Sequence, residues 1–342
     1  MTEQKRKSLV LHIGTPKTGS TAIQGWLGRQ FADADRSTGL PISYPLFDDR
    51  QRVHPERFSG NGALLARSLL PRNSGFALAD DESILGLYRK LLESDSHDRI
   101  VLSSEFFWPL SKDAIARIAD LVTPVFDVVE IVAFLRRHDG FVESRYQQAV
   151  KMGLTLLAPD DYTRSAVDLA KTAGSDLDYV GRLEGWTEFF GKAAVNVAIV
   201  GRARDIDRDP VQLMRDVLKI DDSSNLKTET TNRSMSALET TLLRLANSGD
   251  LNRRLVPLLH EYRRQSTTEL PKFRLRKETV APLLEIAKRQ GNELSDRFAL
   301  IQPVFSDMPG PESEEVSDDF GNYVLGLVLY ANQAGQDAEV IT

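Results

Sequence analysis

Leu9-Val-Leu-His-Ile-Gly-Thr-Pro-Lys-Thr-Gly-Ser-Thr21 is the stretch whose reading decides the fold. Its short apolar run reads as a buried strand, and the Gly14–Gly19 segment reads as a tight loop. Ser20-Thr21-Ala-Ile-Gln-Gly-Trp-Leu then opens a helix. A strand that passes through a glycine loop into a helix N-terminus is an arrangement that binds phosphate. The first N–H groups of the helix are unpaired, and the aligned peptide dipoles leave partial positive charge there. Lys17 adds a full positive charge inside the loop.

The detail separates this loop from the common nucleotide-triphosphate version. That version reads G-x-x-x-x-G-K-[ST]. Gly14 and Gly19 keep the glycine spacing, but Ser20 stands where the lysine belongs, and the lysine has moved to position 17, after Pro16. The shift argues against an ordinary ATPase or kinase.

Further apolar runs extend the pattern. Ile100–Glu105, Val128–Leu135 and Ala194–Val200 read as strands. Lys112–Val122 has helical spacing, with Ile115, Ile118, Ala119 and Val122 on one stripe. Asp139–Met152 and Pro210–Leu218 also read as helices. Strands alternating with helices predict an α/β fold, a P-loop-type parallel sheet flanked by helices. From about Ser234 the leucine spacing becomes helical, giving helical C-terminal additions. The expectation is one domain over 1–342, with a core at about 8–236 and a helical extension at about 237–342. Ala32–Ser83 and Gly153–Gly181 read as long irregular segments that could line a cleft.

A second motif sits in Phe134-Leu-Arg-Arg-His-Asp-Gly-Phe-Val-Glu-Ser144. A buried strand ends in Arg136-Arg137, and Ser144 follows eight residues after Arg136 in the next helix. Arginine offers a planar fork to phosphate, and serine adds a hydroxyl donor. Strand parity decides whether Arg136 or Arg137 points inward.

With both motifs in order, the chain resembles the sulfotransferases that use 3′-phosphoadenosine 5′-phosphosulfate (PAPS), and within them the bacterial sulfotransferase-like group. Asp178-Tyr-Val, Trp186, Phe190-Gly191 and Thr231-Asn-Arg-Ser-Met-Ser fit that group loosely. The resemblance covers about residues 8–236. It implies that Pro16, Lys17, Thr18, Gly19, Ser20 and Thr21 hold the 5′-phosphosulfate, and that Arg136 and Ser144 hold the 3′-phosphate. It further implies in-line transfer of a sulfuryl group to a hydroxyl or amine, with adenosine 3′,5′-bisphosphate as the product, no required metal, and a small-molecule or glycan acceptor such as a carbohydrate or glycolipid. Lys17 is the group for the leaving phosphate oxygen. The base in the family is a histidine or glutamate, and in one branch it ends the strand before the arginine strand. Glu105, followed by Phe106, Phe107 and Trp108, takes that position. His12 is the second candidate, on the same strand face as Val10 and Gly14, and His54 is a third.

The chain also departs from the family. Ser20-Thr21-Ala22 replaces Thr-Thr-Trp, and the late Arg-Lys-Gly clamp is missing because Arg276-Lys277 precedes Glu278. Arg202, Arg204 and Arg233 are alternatives for it. Tyr179, Trp186 and Phe190 are either adenine platforms or core residues. A P-loop kinase or nucleotide hydrolase, and a non-catalytic nucleotide-binding protein, remain the competing classes.

Composition narrows the function further. The 342 residues carry 43 Lys and Arg against 49 Asp and Glu, a net charge of −6. That balance gives no global attraction to nucleic acid, so anionic ligands must meet local basic pockets. There is no cysteine, which removes disulfides, thiolate metal sites and cysteine nucleophiles. No run approaches the roughly 20 apolar residues of a transmembrane helix, and no signal-peptide pattern is present, so the expected location is cytoplasmic.

Overall fold

The computed structural model describes residues 6–32, 42–46, 59–200, 202–203, 206–207, 209–220, 235–248, 252–265 and 270–300. The strands are β1 (Ser8–His12), β2 (Ile42–Ser43), β3 (Arg99–Ser103), β4 (Val128–Arg136), β5 (Val195–Val200), β6 (Arg202–Ala203), β7 (Ile206–Asp207) and β8 (Ala299–Leu300). The helices are α1 (Ser20–Phe31), α2 (Ala63–Ser68), α3 (Asp81–Ser94), α4 (Lys112–Val122), α5 (His138–Lys151), α6 (Pro159–Ala170), α7 (Tyr179–Phe190), α8 (Pro210–Leu218), α9 (Ala237–Ala246), α10 (Asn252–Gln265) and α11 (Lys277–Arg297).

Six strands form one all-parallel sheet in the order β2-β3-β1-β4-β5-β8. β6 and β7 form a separate antiparallel pair. The chain leaves β1 for β3 on one side, then crosses to β4 on the other. The carboxyl end of β1 is therefore the point where strand order reverses, the place where open α/β sheets hold ligands.

Alternation assigns the two faces. Val10, Val101, Val132, Phe134, Ala198 and Val200 pack with residues of α1 and α8 on one face. The opposite set, including Leu9, Leu11, Ile100, Leu102, Ile131, Ala133 and Leu135, is equally buried. α4 and α7 pack together, and α7 also contacts β4 and β5. Both faces are covered, which explains why these strands read as continuous apolar runs.

The chain divides into two compact units. The first comprises Met1–His138, Leu169–Glu229 and Glu285–Met308, and it contains the sheet. The second comprises Asp139–Asp168, Thr230–Leu284 and Pro309–Thr342. Within it, Tyr146 packs on Tyr162 and Phe273, and Asn247 donates to the carbonyls of Val150 and Thr155 at 3.0 Å each. A capping box between Ser236 and Glu239 starts α9.

Two expectations need correction. Gly153–Gly181 is not one irregular segment, because α6 and the start of α7 lie within it. Pro159 supplies a preset φ at the first helical position, and Asp160 and Asp161 complement the helix dipole. Glu105 does not end a strand. β3 stops at Ser103, and Glu105 opens a 3₁₀ turn whose cap is Ser104, which accepts from the Phe106 N–H at 3.2 Å. The Ala32–Ser83 segment carries the short β2, α2 and the start of α3 among its described residues. Thr231–Ser234, Arg204, His54 and Glu312–Asp319 lie outside the described residues. No helix among the described residues is long and apolar enough to cross a membrane.

Asn61 ties the segment before α2 to the end of β3. Its amide nitrogen donates to the carbonyls of Val101 (2.9 Å) and Pro45 (3.1 Å), and its amide oxygen accepts from the Ser103 N–H (2.8 Å). Its own N–H donates to the Tyr44 hydroxyl, and its carbonyl accepts from Tyr88. Asn61→Ala would strip partners from buried backbone groups at once, and each such loss costs about 1–3 kcal/mol. Urea unfolding should show a destabilisation of at least about 2 kcal/mol; an unchanged midpoint would mean that the amide is dispensable.

Candidate functional site

The loop after β1 is held by β4. The Ile13 N–H donates to the Val132 carbonyl at 2.9 Å. The Thr15 N–H and hydroxyl both reach the Phe134 carbonyl, at 3.0 and 3.1 Å. The Thr18 hydroxyl donates to the Thr15 carbonyl at 2.7 Å, so this side chain braces the loop from inside. Lys17, with φ 70°, occupies the left-handed region that a non-glycine residue seldom adopts.

Gly19 is the residue before α1, with φ 87°. A Cβ built on it would lie 2.4 Å from Pro210 Cγ at the start of α8, so conformation and space both require glycine here. The Ala22 and Ile23 N–H groups turn back to the Gly19 carbonyl. The N–H groups of Ser20 and Thr21 precede the first intrahelical acceptor. The first turn of α1 holds no acidic residue, and no side chain caps its N-terminus. The positive end of the helix is thus left unneutralised within its own sequence.

Two buried polar atoms point at this place. Ser20 Oγ and His12 Nε2 have no hydrogen-bond partner among the described residues. Gly14, with φ 26°, separates them: a Cβ there would lie 3.1 Å from each. The other His12 nitrogen, Nδ1, sits 2.8 Å from Ser103 Oγ, which also receives a bond from Gln24 Nε2 at 3.3 Å. The imidazole leans on the Phe134 ring at 5.1 Å between centroids. Burial pulls its pKa down to about 3, so His12 is neutral.

Glu105 faces the loop from the β3 side. Register pairs His12 with Ser103, and the Ser104 N–H continues the ladder to the His12 carbonyl at 3.1 Å. Desolvation raises the Glu105 pKa above the ordinary carboxylate value, while the Lys17 charge and a 3.4 Å hydrogen bond from the Ser59 hydroxyl oppose the shift. The structure therefore brings Lys17 and Glu105 into one electrostatic neighbourhood at the end of β1.

On the other side, β4 runs four residues past Val132, the partner of His12, and ends at Arg136. Arg136 shares strand parity with Val132 and Phe134, so it belongs to the face that carries α1. Its carbonyl accepts from the Tyr179 hydroxyl at 2.7 Å. Arg137 follows the strand end. Ser144 lies in the second turn of α5, within the second unit.

Other candidates take structural places. Tyr179 and Trp186 are fully buried, and the His138 ring lies tilted against Tyr179, 4.4 Å between centroids, with its Nε2 against the Leu177 carbonyl. Phe190 is half-buried beside Trp186. In the second unit, Glu143 is held by Arg274 and the Leu275 N–H, and Arg276 pairs with Asp160. Arg202 lies in β6, and Arg233 is outside the described residues. Sequence reasoning missed Ser103, Gln24 and Ser59, which come to the site from separate segments. The only local signal for them was the polar Ser103-Ser104 at the end of an apolar strand.

No family model, curated protein or solved structure matches this chain.

The raised Glu105 pKa has a consequence for stability. Between the ordinary carboxylate pKa and the raised one, the folded chain binds more protons than the unfolded chain, so stability falls as pH rises through that window. At neutral pH the half-buried carboxylate is a cost. Glu105→Gln should melt at a higher temperature than the parent at pH 7, and the gain should vanish below roughly pH 4. A lower melting temperature at pH 7 would make the carboxylate a net stabiliser.

Proposed function

We propose that this chain is a PAPS-dependent sulfotransferase that moves a sulfuryl group to a hydroxyl or amine. A carbohydrate or glycolipid is the acceptor class that the sequence resemblance suggests. The observation that carries the reading is that Lys17, in the loop before α1, lies near enough to Glu105 for its charge to act on that carboxyl, while the first turn of α1 holds no acidic residue. One cation and one carboxylate of raised pKa are the two groups that sulfuryl transfer asks of a protein. The donor would supply a sulfuryl group already activated by a phosphate leaving group. The unpartnered Ser20 hydroxyl and the glycine cradle at position 14 suit an anionic phosphate oxygen.

In this reading the backbone N–H groups of Gly19, Ser20 and Thr21 bind the 5′-phosphate. Lys17 neutralises the charge that grows on the bridging oxygen as the sulfur–oxygen bond breaks. Glu105 takes the proton of the acceptor as the new bond to sulfur forms on the opposite side. Holding both reactants in line lowers the entropic part of the barrier. Arg136 takes the 3′-phosphate, with Ser144 as the second group that the sequence resemblance assigns to it. The expected location is cytoplasmic, and no step in this scheme calls for a metal or a nucleic acid.

Calorimetric titration with adenosine 3′,5′-bisphosphate, beside magnesium-ATP, tests the nucleotide assignment. Binding of the bisphosphate without ATP supports it; the reverse preference makes the protein a kinase or nucleotide hydrolase. With PAPS and an accepted hydroxyl compound, Lys17→Ala should abolish transfer. Glu105→Gln should lower turnover with little change in nucleotide affinity. Arg136→Ala should weaken the bisphosphate by about 1.5–3 kcal/mol, the range for hydrogen bonds to charged groups. Unchanged turnover in Glu105→Gln would remove Glu105 as the base and assign that role to another group; bisphosphate binding by the parent with no transfer to any hydroxyl compound would make the chain a non-catalytic nucleotide-binding protein.

A further inference from the structure

His12 is buried in the first strand and neutral, and nothing in the transfer scheme uses it. Its surroundings nevertheless fix the ring. Ser103 Oγ receives a hydrogen bond from Gln24 Nε2, and its second polar neighbour is His12 Nδ1 at 2.8 Å. Were Nδ1 also to donate, the single Ser103 proton would need a third partner inside the core, and the described residues supply none there. The consistent arrangement has the Ser103 hydroxyl donating to Nδ1. That tautomer puts the ring proton on Nε2.

The Nε2–H then points at the Gly14 cradle, and so does the Ser20 hydroxyl. Each atom is 3.1 Å from the place a Cβ at Gly14 would fill, and each lacks a partner among the described residues. Two buried, unpartnered donors that flank a glycine, and crowd out any side chain there, stand at the positive end of a helix and match one oxygen of a tetrahedral oxyanion. A general base at this position would need a lone pair on Nε2, which the hydrogen-bond relay from Gln24 through Ser103 denies. We propose that His12 is a positioning residue that donates Nε2–H, together with Ser20 Oγ, to one oxygen of a bound phosphate group at Gly14.

The identity of that phosphate, the 5′-phosphate of the nucleotide, rests on the sulfotransferase reading; the cradle itself does not. The test is calorimetry on the full chain, His12→Phe, His12→Gln and Ser20→Ala, with circular dichroism as the fold control. The probes are adenosine 3′,5′-bisphosphate, adenosine 3′-monophosphate and inorganic pyrophosphate. His12→Phe keeps a ring against Phe134 but has no donor, and His12→Gln restores an N–H near the Nε2 position.

Loss of one hydrogen bond to an anion should weaken the bisphosphate roughly ten- to hundredfold in His12→Phe and in Ser20→Ala. Adenosine 3′-monophosphate, which lacks the 5′-phosphate, should bind parent and variants alike, and His12→Gln should recover part of the loss. Equal weakening of both nucleotides, or none, overturns the proposal while leaving the sulfotransferase reading intact. If the parent takes pyrophosphate with the same His12→Phe loss and ignores both nucleotides, the cradle stands and the PAPS assignment falls. If the parent binds no probe, both fall.

Discussion

Two carbonyls of β4, those of Val132 and Phe134, hold the loop that follows β1, and the remaining geometry of the site depends on that attachment. They extend the parallel ladder by two steps beyond the end of β1. The chain must then turn within Pro16–Gly19, which places Lys17 and Gly19 in left-handed conformations. The exit direction of α1 is fixed in turn, because Gly19 lies against Pro210 with no room for a side chain. α1 and α8 bury their apolar sides on the same sheet face, so the loop cannot shift without disturbing the core that includes Trp26, Leu27 and Met214. An anion site needs this rigidity, since donors that must reorganise on binding lose much of their advantage.

The charge arrangement follows from the same constraint. A chain of net charge −6 attracts anions only where local groups outweigh the total. Here a helix N-terminus without a carboxylate in its first turn and a lysine in the adjoining loop supply the local positive field. Glu105 enters that field from the neighbouring strand end, partly removed from water and hydrogen-bonded by the Ser59 hydroxyl. Desolvation outweighs the attraction of Lys17, and the carboxyl is left easier to protonate than in water. Such a group weakens the fold at neutral pH and gains the basicity that proton transfer requires. The cluster around Asn61 holds β3 and the preceding segment together, and so fixes the side from which Glu105 approaches.

Much of the fold was legible in the sequence, because its main signals are local. Gly14, Pro16 and Gly19 announced the loop, and the apolar runs at Leu9, Ile100, Val128 and Val195 announced the four longest strands of a doubly covered sheet. Lys112–Val122 is a helix over the bounds its apolar stripe predicts, with Ser111 capping it. β2 and β8 were not legible: each is two residues long and exists as a strand only through pairing with a longer neighbour. α6 was obscured by the polar and small residues around it, although Pro159 and the two aspartates that follow mark its start.

At the site, the sequence by itself determined the chemistry on offer: a glycine loop with an internal lysine, arginines ending a strand, and a glutamate beside aromatic residues. Those are properties of residue type and short spacing, carried along the chain. Only the tertiary structure decided which groups meet. The pairing of His12 with Ser103 and Gln24, the convergence of His12 and Ser20 on Gly14, and the approach of Glu105 to Lys17 depend on strand order and register. A parallel sheet joins segments far apart in the chain, and nothing local encodes which strand will lie beside β1. Strand parity likewise put Arg136 on the face of α1, a choice that the Arg136-Arg137 pair left open until β4 had a register.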